Sequence, residues 1–323
     1  MLRIVTANVN GIRAAHRRGF GDWLAGRGAD VIALQEVRAQ VAKLPEAAFG
    51  TFHVALDPGS LPGRNGVAML TRRPPAAVRT WSGRAVVGGP AVAPGALRAD
   101  LVGPPSAAGP ALEEVEAPDQ VPLARGLGPF AREGRYLEVD LADAPLTIAS
   151  LYLPKGGLPA ELQRPERMRE APDGGAKYRR KMGFLAAFSR YLTATRRAAR
   201  ARGREFLLVG DLNIAPTRQD LANWRRNQQT DGFLPEEREW FAQQLSPRTL
   251  VDVVRSLRPE EDGPYSWWSW LGQSFAKDTG WRIDHQLATP RLARSAQSVE
   301  VDREFRGVRL ADHAPVVVEY AWP

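Results

Sequence analysis

The chain is organised around one stretch, Phe206-Leu-Leu-Val-Gly-Asp211-Leu-Asn213-Ile-Ala-Pro-Thr217. Its apolar run predicts a buried strand that stops at Gly210, and Pro216 prevents sheet pairing from resuming after the turn. Asp211 and Asn213 are two residues apart, so both side chains point into one cavity if the strand geometry continues past Gly210. The stretch therefore predicts a carboxylate and a carboxamide together at the end of a buried strand.

An Asx-type turn is the alternative for this pair, in which both side chains only satisfy local backbone N–H groups. The same arrangement occurs near the N-terminus, where a predicted strand from Leu2 to Asn8 ends in Asn8-Val-Asn10-Gly11. Further polar residues lie at or beside the ends of predicted strands, and we expect the whole set to converge at one rim of a two-layer sheet core. The set comprises Asn8, Glu36, Tyr152, Asp211, Asn213, Asp284, Asp312 and His313.

Composition limits the classes of protein to which the chain can belong. Its 323 residues are 44% apolar, enough for a full core, and the net charge of +8 favours a polyanionic partner, nucleic acid before membrane. The sequence contains no cysteine, which excludes disulfides, thiolate metal sites and cysteine nucleophiles. A strand pattern follows Met1 directly where a signal peptide would have a charged and then an apolar segment, so we expect a cytoplasmic protein.

The remaining chain alternates strand and helix patterns. Helices are predicted over roughly Arg13–Arg27 and over Lys177–Arg202, the second stopped by Gly203. Residues from about 82 to 129 are rich in Pro, Gly and Ala and show no sustained period. We interpret them as an insertion in a single domain that spans residues 1–323.

Six short motifs hold the strand-end residues. They are N-x-N-G from Asn8, L-Q-E-x-R from Leu34, Y-x-P-x-G from Tyr152, G-D-x-N-x-x-P-T from Gly210, W-R-I-D from Trp281 and D-H-A-P from Asp312. In this order they resemble the exonuclease III and abasic endonuclease branch of the endonuclease/exonuclease/phosphatase superfamily, as does the run 232–240. The resemblance covers nearly the whole chain apart from residues 82–129. It implies an α/β fold, a four-layer α/β sandwich of two facing mixed sheets with helices outside.

The resemblance also implies hydrolysis of DNA phosphodiesters with Mg²⁺, or with Mn²⁺ as an alternative. The implied metal ligands are hard oxygen donors, from Asn8, Asn10, Glu36, Asp211, Asn213 and Asp312. The implied catalytic residues are Tyr152, Asp211, Asn213, Asp284 and His313. Either Asp211 or His313 could be the base, and Tyr152 could act as a hydrogen-bond donor or as a phenolate.

The resemblance assigns DNA contacts as well. Trp267, Trp281 and Ile283 match the apolar pocket that receives a flipped-out abasic sugar, and the alternative is that these tryptophans pack between the sheets. For Trp268 and Trp270 we expect packing. The candidate phosphate contacts are Arg38, Lys155, Arg225 and Arg226. Asn10, Arg38 and Lys155 depart from the residues common in this branch, which leaves the balance between endonuclease and exonuclease activity open.

The expected function is a metal-dependent DNA repair nuclease that cuts 5′ to abasic sites, with 3′–5′ exonuclease and 3′-phosphatase activity. Its expected partner is double-stranded DNA with abasic sites or blocked 3′ ends, bound by a monomer in the bacterial cytoplasm at the nucleoid, without membrane contact. One alternative is a superfamily phosphodiesterase with a non-DNA substrate. The basic charge and the lack of a second histidine in Ser150-Leu-Tyr-Leu-Pro154 disfavour it. A catalytically silent DNA-binding module is the other alternative.

Overall fold

The computed structural model of the chain describes residues 1–45, 47–89, 112–168 and 170–322. Its strands are β1 (Leu2–Asn8), β2 (Val31–Gln35), β3 (His53–Asp57), β4 (Val67–Thr71), β5 (Ala77–Thr80), β6 (Arg84–Gly88), β7 (Glu113–Glu116), β8 (Tyr136–Asp140), β9 (Leu146–Tyr152), β10 (Glu205–Asp211), β11 (Val251–Asp252), β12 (Asp284–Ala288), β13 (Ala296–Val301) and β14 (Val316–Tyr320). Its α-helices are α1 (Ile12–Arg17), α2 (Phe20–Gly26), α3 (Ala176–Ala201), α4 (Pro235–Gln244), α5 (Val253–Leu257), α6 (Pro290–Ala293) and α7 (Arg303–Gly307).

The strands form two mixed sheets. The eight-stranded sheet has the order β13-β14-β1-β2-β4-β3-β6-β7, and the six-stranded sheet has the order β11-β12-β10-β9-β8-β5. At the centre of the first sheet, β1 pairs in parallel with β2 and antiparallel with β14. The second sheet repeats this arrangement, because β10 pairs in parallel with β9 and antiparallel with β12. Both sheets are therefore mixed, as the resemblance implied.

The two sheets face each other across one apolar core. Ile4 and Met69 of the larger sheet pack in the same buried cluster as Ile148 and Leu207 of the smaller sheet. Central strands such as β2 are buried along their whole length, because helices cover the outer faces of the sheets. The outer core of the larger sheet contains residues of α1 and α2, and that of the smaller sheet contains residues of α3 and α4. The four-layer α/β sandwich is confirmed.

The helices agree with the sequence patterns in one place and differ in another. The predicted helix over Lys177–Arg202 is confirmed as α3, which is 26 residues long. The predicted helix over Arg13–Arg27 is wrong in its continuity, since the structure divides it into α1 and α2 at Gly19. Gly19 has a φ of 100°, which ends the first helix and re-aims the chain for the second. In the part of the chain that the structure describes, no helix is both long and apolar enough to span a lipid bilayer.

The segment interpreted as an insertion contains more regular structure than its composition indicated. Strands β6 and β7 lie within residues 82–129 and pair antiparallel at one edge of the larger sheet. An edge strand needs few apolar residues, and in β7 Glu113, Glu114 and Glu116 are exposed. Residues 90–111, between these strands, lie outside the described residues.

Candidate active site

Strand register brings the predicted polar residues to one edge of the two sheets. In the six-stranded sheet Asp211 pairs with Tyr152 of β9 and with Asp284 of β12. In the eight-stranded sheet Asn8 lies opposite Gln35, so that Glu36 follows at the same edge. Because parallel strands end where their antiparallel neighbours begin, side chains from distant parts of the sequence meet here.

The segments 211–213 and 8–10 both form Asx turns. The side chains therefore satisfy local backbone N–H groups and also lie at the site, so the two interpretations do not exclude each other. Asp211 Oδ1 accepts a hydrogen bond from Asn213 N at 2.9 Å, and Asn8 Oδ1 accepts one from Asn10 N at 3.0 Å. The turn residues Asn10 and Asn213 have φ of 46° and 49°, left-handed values that Asn tolerates well. The turn uses one oxygen of Asp211, and the other accepts a hydrogen bond from Asn8 Nδ2 at 2.9 Å. The Asp211 carboxylate is thereby fixed in direction.

Glu36 and Arg38 form the neighbouring part of the site. Both have a φ of 53°, a strained value for residues other than glycine that is common at functional sites. Glu36 Oε1 accepts a hydrogen bond from Asn8 Nδ2 at 3.0 Å, and its Oε2 forms an ion pair with Arg38. The Arg38 guanidinium also donates to Asn10 Oδ1 at 2.6 Å. A cation thus already lies against the Glu36 carboxylate.

His313 and Asp284 form a buried hydrogen-bonded pair. His313 Nδ1 donates to Asp284 Oδ2 at 2.8 Å, and Ser266 Oγ donates to the same oxygen at 2.7 Å. The other ring nitrogen, Nε2, lies 3.9 Å from Asp211 Oδ2. Burial favours the neutral ring, but the neighbouring carboxylates, Asp284 above all, outweigh it and raise the pKa of His313 to about 10. The imidazole is therefore a cation at neutral pH, oriented by Asp284.

The ionisation of Asp211 and Tyr152 follows from the same crowding of acidic groups. Burial, with the charges of Asp284 and Glu36, raises the pKa of Asp211 to about 7, although His313 opposes the shift. A carboxylate with a pKa near neutrality suits proton transfer. Burial and the charges of Glu36 and Asp211 raise the pKa of Tyr152 well above its usual value. Tyr152 is thus a neutral phenol that can donate a hydrogen bond.

These groups line one cleft with a volume of about 320 Å³. Its lining consists of Asn10, Glu36, Arg38, Tyr152, Lys155, Asp211, Asn213, Thr230, Asp231, Gly232, Trp267, Trp281, Ile283, Asp312 and His313. On its apolar side the rings of Trp267 and Trp281 meet edge to face, with centroids 6.3 Å apart and planes at 82°. Ile283 packs in the same apolar cluster. A polar wall that contains the predicted catalytic residues and an apolar pocket therefore share one cavity.

The other predicted site residues lie around the cleft. Asn8 and Asp284 are buried behind its wall, where they contact the side chains that line it. Arg38 and Lys155 reach the cleft itself. Arg225 and Arg226 are exposed on a short 3₁₀ turn outside the lining, and the guanidinium of Arg225 stacks on Trp224 at 4.5 Å.

The cleft is chemically suited to a divalent cation. Its carboxylates and carboxamides offer only oxygen donors and hard anions, the ligands that Mg²⁺ and Mn²⁺ prefer. The carboxylate of Asp312 accepts hydrogen bonds from Asn10 Nδ2 at 2.8 Å and from Trp267 Nε1 at 3.2 Å. With Glu36 it provides two oriented acids on the cleft lining. The residues present therefore fit the implied metal.

Several contributors were not predicted from sequence, and one of the two packing expectations was wrong. Ser266 holds Asp284, and Thr230 and Asp231 line the cleft. A serine next to a tryptophan carries no signal that separates this role from an ordinary loop. Trp268 is fully buried and packs on Phe275, as expected, whereas Trp270 is 38% exposed.

His285 gives a testable dependence of stability on pH. The ring is buried, with Nε2 2.9 Å from Ile214 O and Nδ1 3.2 Å from Arg282 Nη1, which suits a neutral tautomer. Burial and the Arg282 charge lower its pKa to about 4. Between pH 6.5 and 4 the unfolded chain binds a proton at His285 that the folded chain does not bind. The stability gained from keeping His285 neutral is therefore complete above pH 6.5 and is lost as pH falls towards 4. At about 1.4 kcal/mol per pKa unit, the loss is about 3 kcal/mol.

The check is urea unfolding at several pH values from 4 to 7, for the wild type and for His285→Gln. The glutamine can still donate to Ile214 O but does not titrate. We expect the free energy of unfolding to fall more steeply with acid in the wild type. Equal slopes for the two proteins would contradict a buried neutral His285.

Comparison with known proteins agrees with this geometry. Residues 5–313 match the model of the Endonuclease/Exonuclease/phosphatase family. The chain is 25% identical over 319 residues to an exodeoxyribonuclease of Bacillus subtilis, covering 98% of each. It is 23% identical to a DNA-(apurinic or apyrimidinic site) endonuclease of Dictyostelium discoideum, covering 98% of this chain and 70% of the other.

Solved structures share the fold. A 3′ phosphatase, NExo, from Neisseria, bound to a product DNA hairpin, superposes with a TM-score of 0.72 at 24% identity over 100% of both chains. An AP endonuclease from Archaeoglobus fulgidus gives a TM-score of 0.71 at 24% identity, over 99% of this chain and 100% of the other. The six motifs, the two-sheet sandwich and the match over residues 5–313 lead to one conclusion: the chain belongs to the Endonuclease/Exonuclease/phosphatase family.

Proposed function

We propose that the chain is a divalent-metal-dependent DNA nuclease that hydrolyses the phosphodiester 5′ to an abasic site. We further propose that it trims 3′ ends as a 3′–5′ exonuclease and a 3′-phosphatase. One observation carries the proposal: the apolar pocket of Trp267, Trp281 and Ile283 opens into the same cleft as the Asp211 and His313 side chains. The names of the relatives support it, since they are an exodeoxyribonuclease and an abasic-site endonuclease.

In this proposal Asp211 is the base and His313 the electrostatic donor. Asp211 is held by the Asn213 N–H and by Asn8, and it takes a proton from the water that attacks phosphorus. The His313 imidazolium, fixed by Asp284, donates its Nε2–H to a non-bridging phosphate oxygen. Tyr152 donates a second hydrogen bond from its neutral phenol. This division of roles is our proposal for the choice between Asp211 and His313 that the sequence left open.

Glu36 and Asp312 would hold the cation, with Asn10, Asp211 and Asn213 as further oxygen donors on the cleft lining. When bound, Mg²⁺ or Mn²⁺ supplies neutralisation of the charge on the phosphate oxygens and on the leaving oxygen. We assign Asn8 a different role from the metal ligand that the resemblance implied. Its Nδ2 already donates to both Glu36 and Asp211, and its Oδ1 accepts from Asn10 N, so it orients the two carboxylates.

The remaining contacts would serve duplex DNA, bound by residues 1–323 acting as a monomer. Arg38 and Lys155 line the cleft and are proposed to contact the phosphates that flank the scissile bond. Arg225 and Arg226 are exposed outside it and are proposed to contact the backbone farther along the duplex. Each such contact is expected to weaken as salt concentration rises.

The pocket is tested with two duplexes and one variant. Wild-type protein is expected to incise a duplex with one central abasic analogue 5′ to the lesion, and to degrade an undamaged duplex only from its 3′ ends. Trp281→Ala is expected to slow abasic incision by about 10- to 150-fold, the equivalent of losing about 1.5 to 3 kcal/mol of apolar burial. The rates are measured on end-labelled oligonucleotides.

Release of phosphate from a 3′-phosphorylated duplex by the same variant is the control. We expect this rate to change little, because a 3′ end has no abasic sugar to place in the pocket. An equal loss of rate on both substrates would show that Trp281 has only a structural role. Internal cleavage of undamaged DNA by the wild type at the abasic rate would refute the specificity for abasic sites.

A further inference from the structure

A buried lysine outside the cleft connects the two loops that carry catalytic residues. Lys181 of α3 is 1% exposed, and its Nζ donates to Lys155 O and to Asn213 O, at 2.9 Å each. Its third partner is Glu237 Oε1 at 2.7 Å, on a side chain that is fully buried. The two carbonyl groups accept hydrogen bonds from the ammonium group, and the Glu237 carboxylate adds an ion pair.

The two carbonyl groups belong to the segments that leave the catalytic strands. Lys155 lies three residues after Tyr152, the end of β9, and Asn213 lies two residues after Asp211, the end of β10. The chain also passes very close to the lysine at Gly156, where an added Cβ would lie 2.5 Å from Lys181 Cδ. Any other residue at this position would displace the contact.

Glu237 fixes the lysine from the opposite side. It lies in the first turn of α4, where its Oε2 accepts a hydrogen bond from Leu234 N at 3.0 Å and satisfies the start of the helix. The lysine is therefore held by α3 and α4 and contacts both loops. Buried ion pairs contribute little to stability compared with apolar residues of similar volume, so their geometry is the more informative property.

We propose that Lys181, held by Glu237, is a positioning residue that sets Asp211 and Asn213 at the correct distance from Tyr152 and Lys155. The inference rests on the proposed function for its kinetic consequences only. Without the ammonium group, both carbonyl oxygens lose their shared partner. The two loops then keep only their direct contacts, from Leu153 N to Asp211 O and from Asn213 Nδ2 to Leu153 O. A displacement of about 1 Å in such a site can cost about 100-fold in rate.

The test uses two variants and a control. Lys181→Met removes the ammonium group, and Lys181→Met with Glu237→Gln also removes the carboxylate that would be left unpaired. Arg79→Met is the control, because Arg79 is an equally buried cation that pairs with Glu138 and Asp140 in β8. Steady-state kinetics on the abasic duplex and backbone hydrogen exchange on the free protein are measured for each.

We expect Lys181→Met to lower kcat by about 100-fold with little change in KM. The double variant is expected to regain stability but not kcat, whereas Arg79→Met loses stability and keeps kcat at temperatures where it is folded. The Leu153 amide donates to Asp211 O, and the Ala215 amide donates to Gly232 O. In Lys181→Met without DNA, we expect both amides to exchange faster than in the wild type.

Unchanged kcat and unchanged exchange in Lys181→Met would overturn the inference. So would an equal fall in kcat for Arg79→Met at an equal loss of stability, because that result would make the effect one of general stability. If the wild type hydrolyses no DNA at all, the proposed function fails. The exchange measurement then still decides whether Lys181 couples the loops.

Discussion

Asp211→Asn is expected to lower turnover on the abasic duplex by about 100- to 10,000-fold, the range that a general base contributes. The substitution preserves the size of the side chain and the oxygen that accepts from Asn213 N, so the Asx turn is kept. What is lost is the carboxylate oxygen Oδ2, which lies beside His313, can take a proton, and accepts a hydrogen bond from Asn8 Nδ2. Single-turnover kinetics with enzyme in excess measure the rate, and electrophoretic binding on the same duplex is expected to stay close to wild type.

Asp302→Asn is the matched control for this substitution. Asp302 is also a buried carboxylate, but its partners are Trp23 and Arg27, away from the cleft. We expect it to retain turnover once it is folded. An Asp211→Asn protein that cleaves near the wild-type rate would show that the base has been assigned to the wrong residue.

Glu36→Gln is expected to weaken Mn²⁺ binding to the free protein by more than about 100-fold. Loss of a residue that only supports a metal ligand costs up to about 100-fold, and a larger loss indicates a direct ligand. The glutamine can still accept from Asn8 Nδ2, but it loses the anionic oxygen and with it the ion pair to Arg38. Turnover at a fixed Mn²⁺ concentration is expected to fall in proportion to the fraction of protein that has Mn²⁺ bound. Electron paramagnetic resonance of free Mn²⁺ gives the binding constant independently of activity.

Glu138→Gln provides the comparison for the metal measurement. Glu138, in β8, is buried against Arg79 of β5, and its loss affects stability without removing an oxygen from the cleft. Its affinity for Mn²⁺ is expected to equal that of the wild type. If Glu36→Gln binds Mn²⁺ with wild-type affinity, Glu36 is not a metal ligand.

The parts of the fold that the sequence predicts are those determined by local pattern. The apolar run from Phe206 makes β10, and the side-chain period of two in strands places Asp211 and Tyr152 in register at its end. The strand ends predicted the convergence of the site, and the resemblance carried by the six motifs implied the sandwich. The Asx turn at Asp211 was predicted as an alternative to function, yet the structure uses it to aim the carboxylate.

Other features depend on contacts between distant residues and leave little trace in the sequence. Edge strands such as β7 need few apolar residues, and β11 is too short to show a period. Nothing in the basic helix α3 separates Lys181 from its exposed neighbours, because its burial is set by the loops and by Glu237. The orienting role of Asn8 likewise depends on Asp211, 203 residues away.

The most direct test is incision of a 5′-labelled duplex with one central abasic analogue, by wild-type protein with Mg²⁺ and with EDTA. The proposed site predicts a single cut immediately 5′ to the lesion when Mg²⁺ is present, and no cut in EDTA. Cutting that persists in EDTA, or an intact duplex under both conditions, would contradict a metal-dependent nuclease site in this cleft.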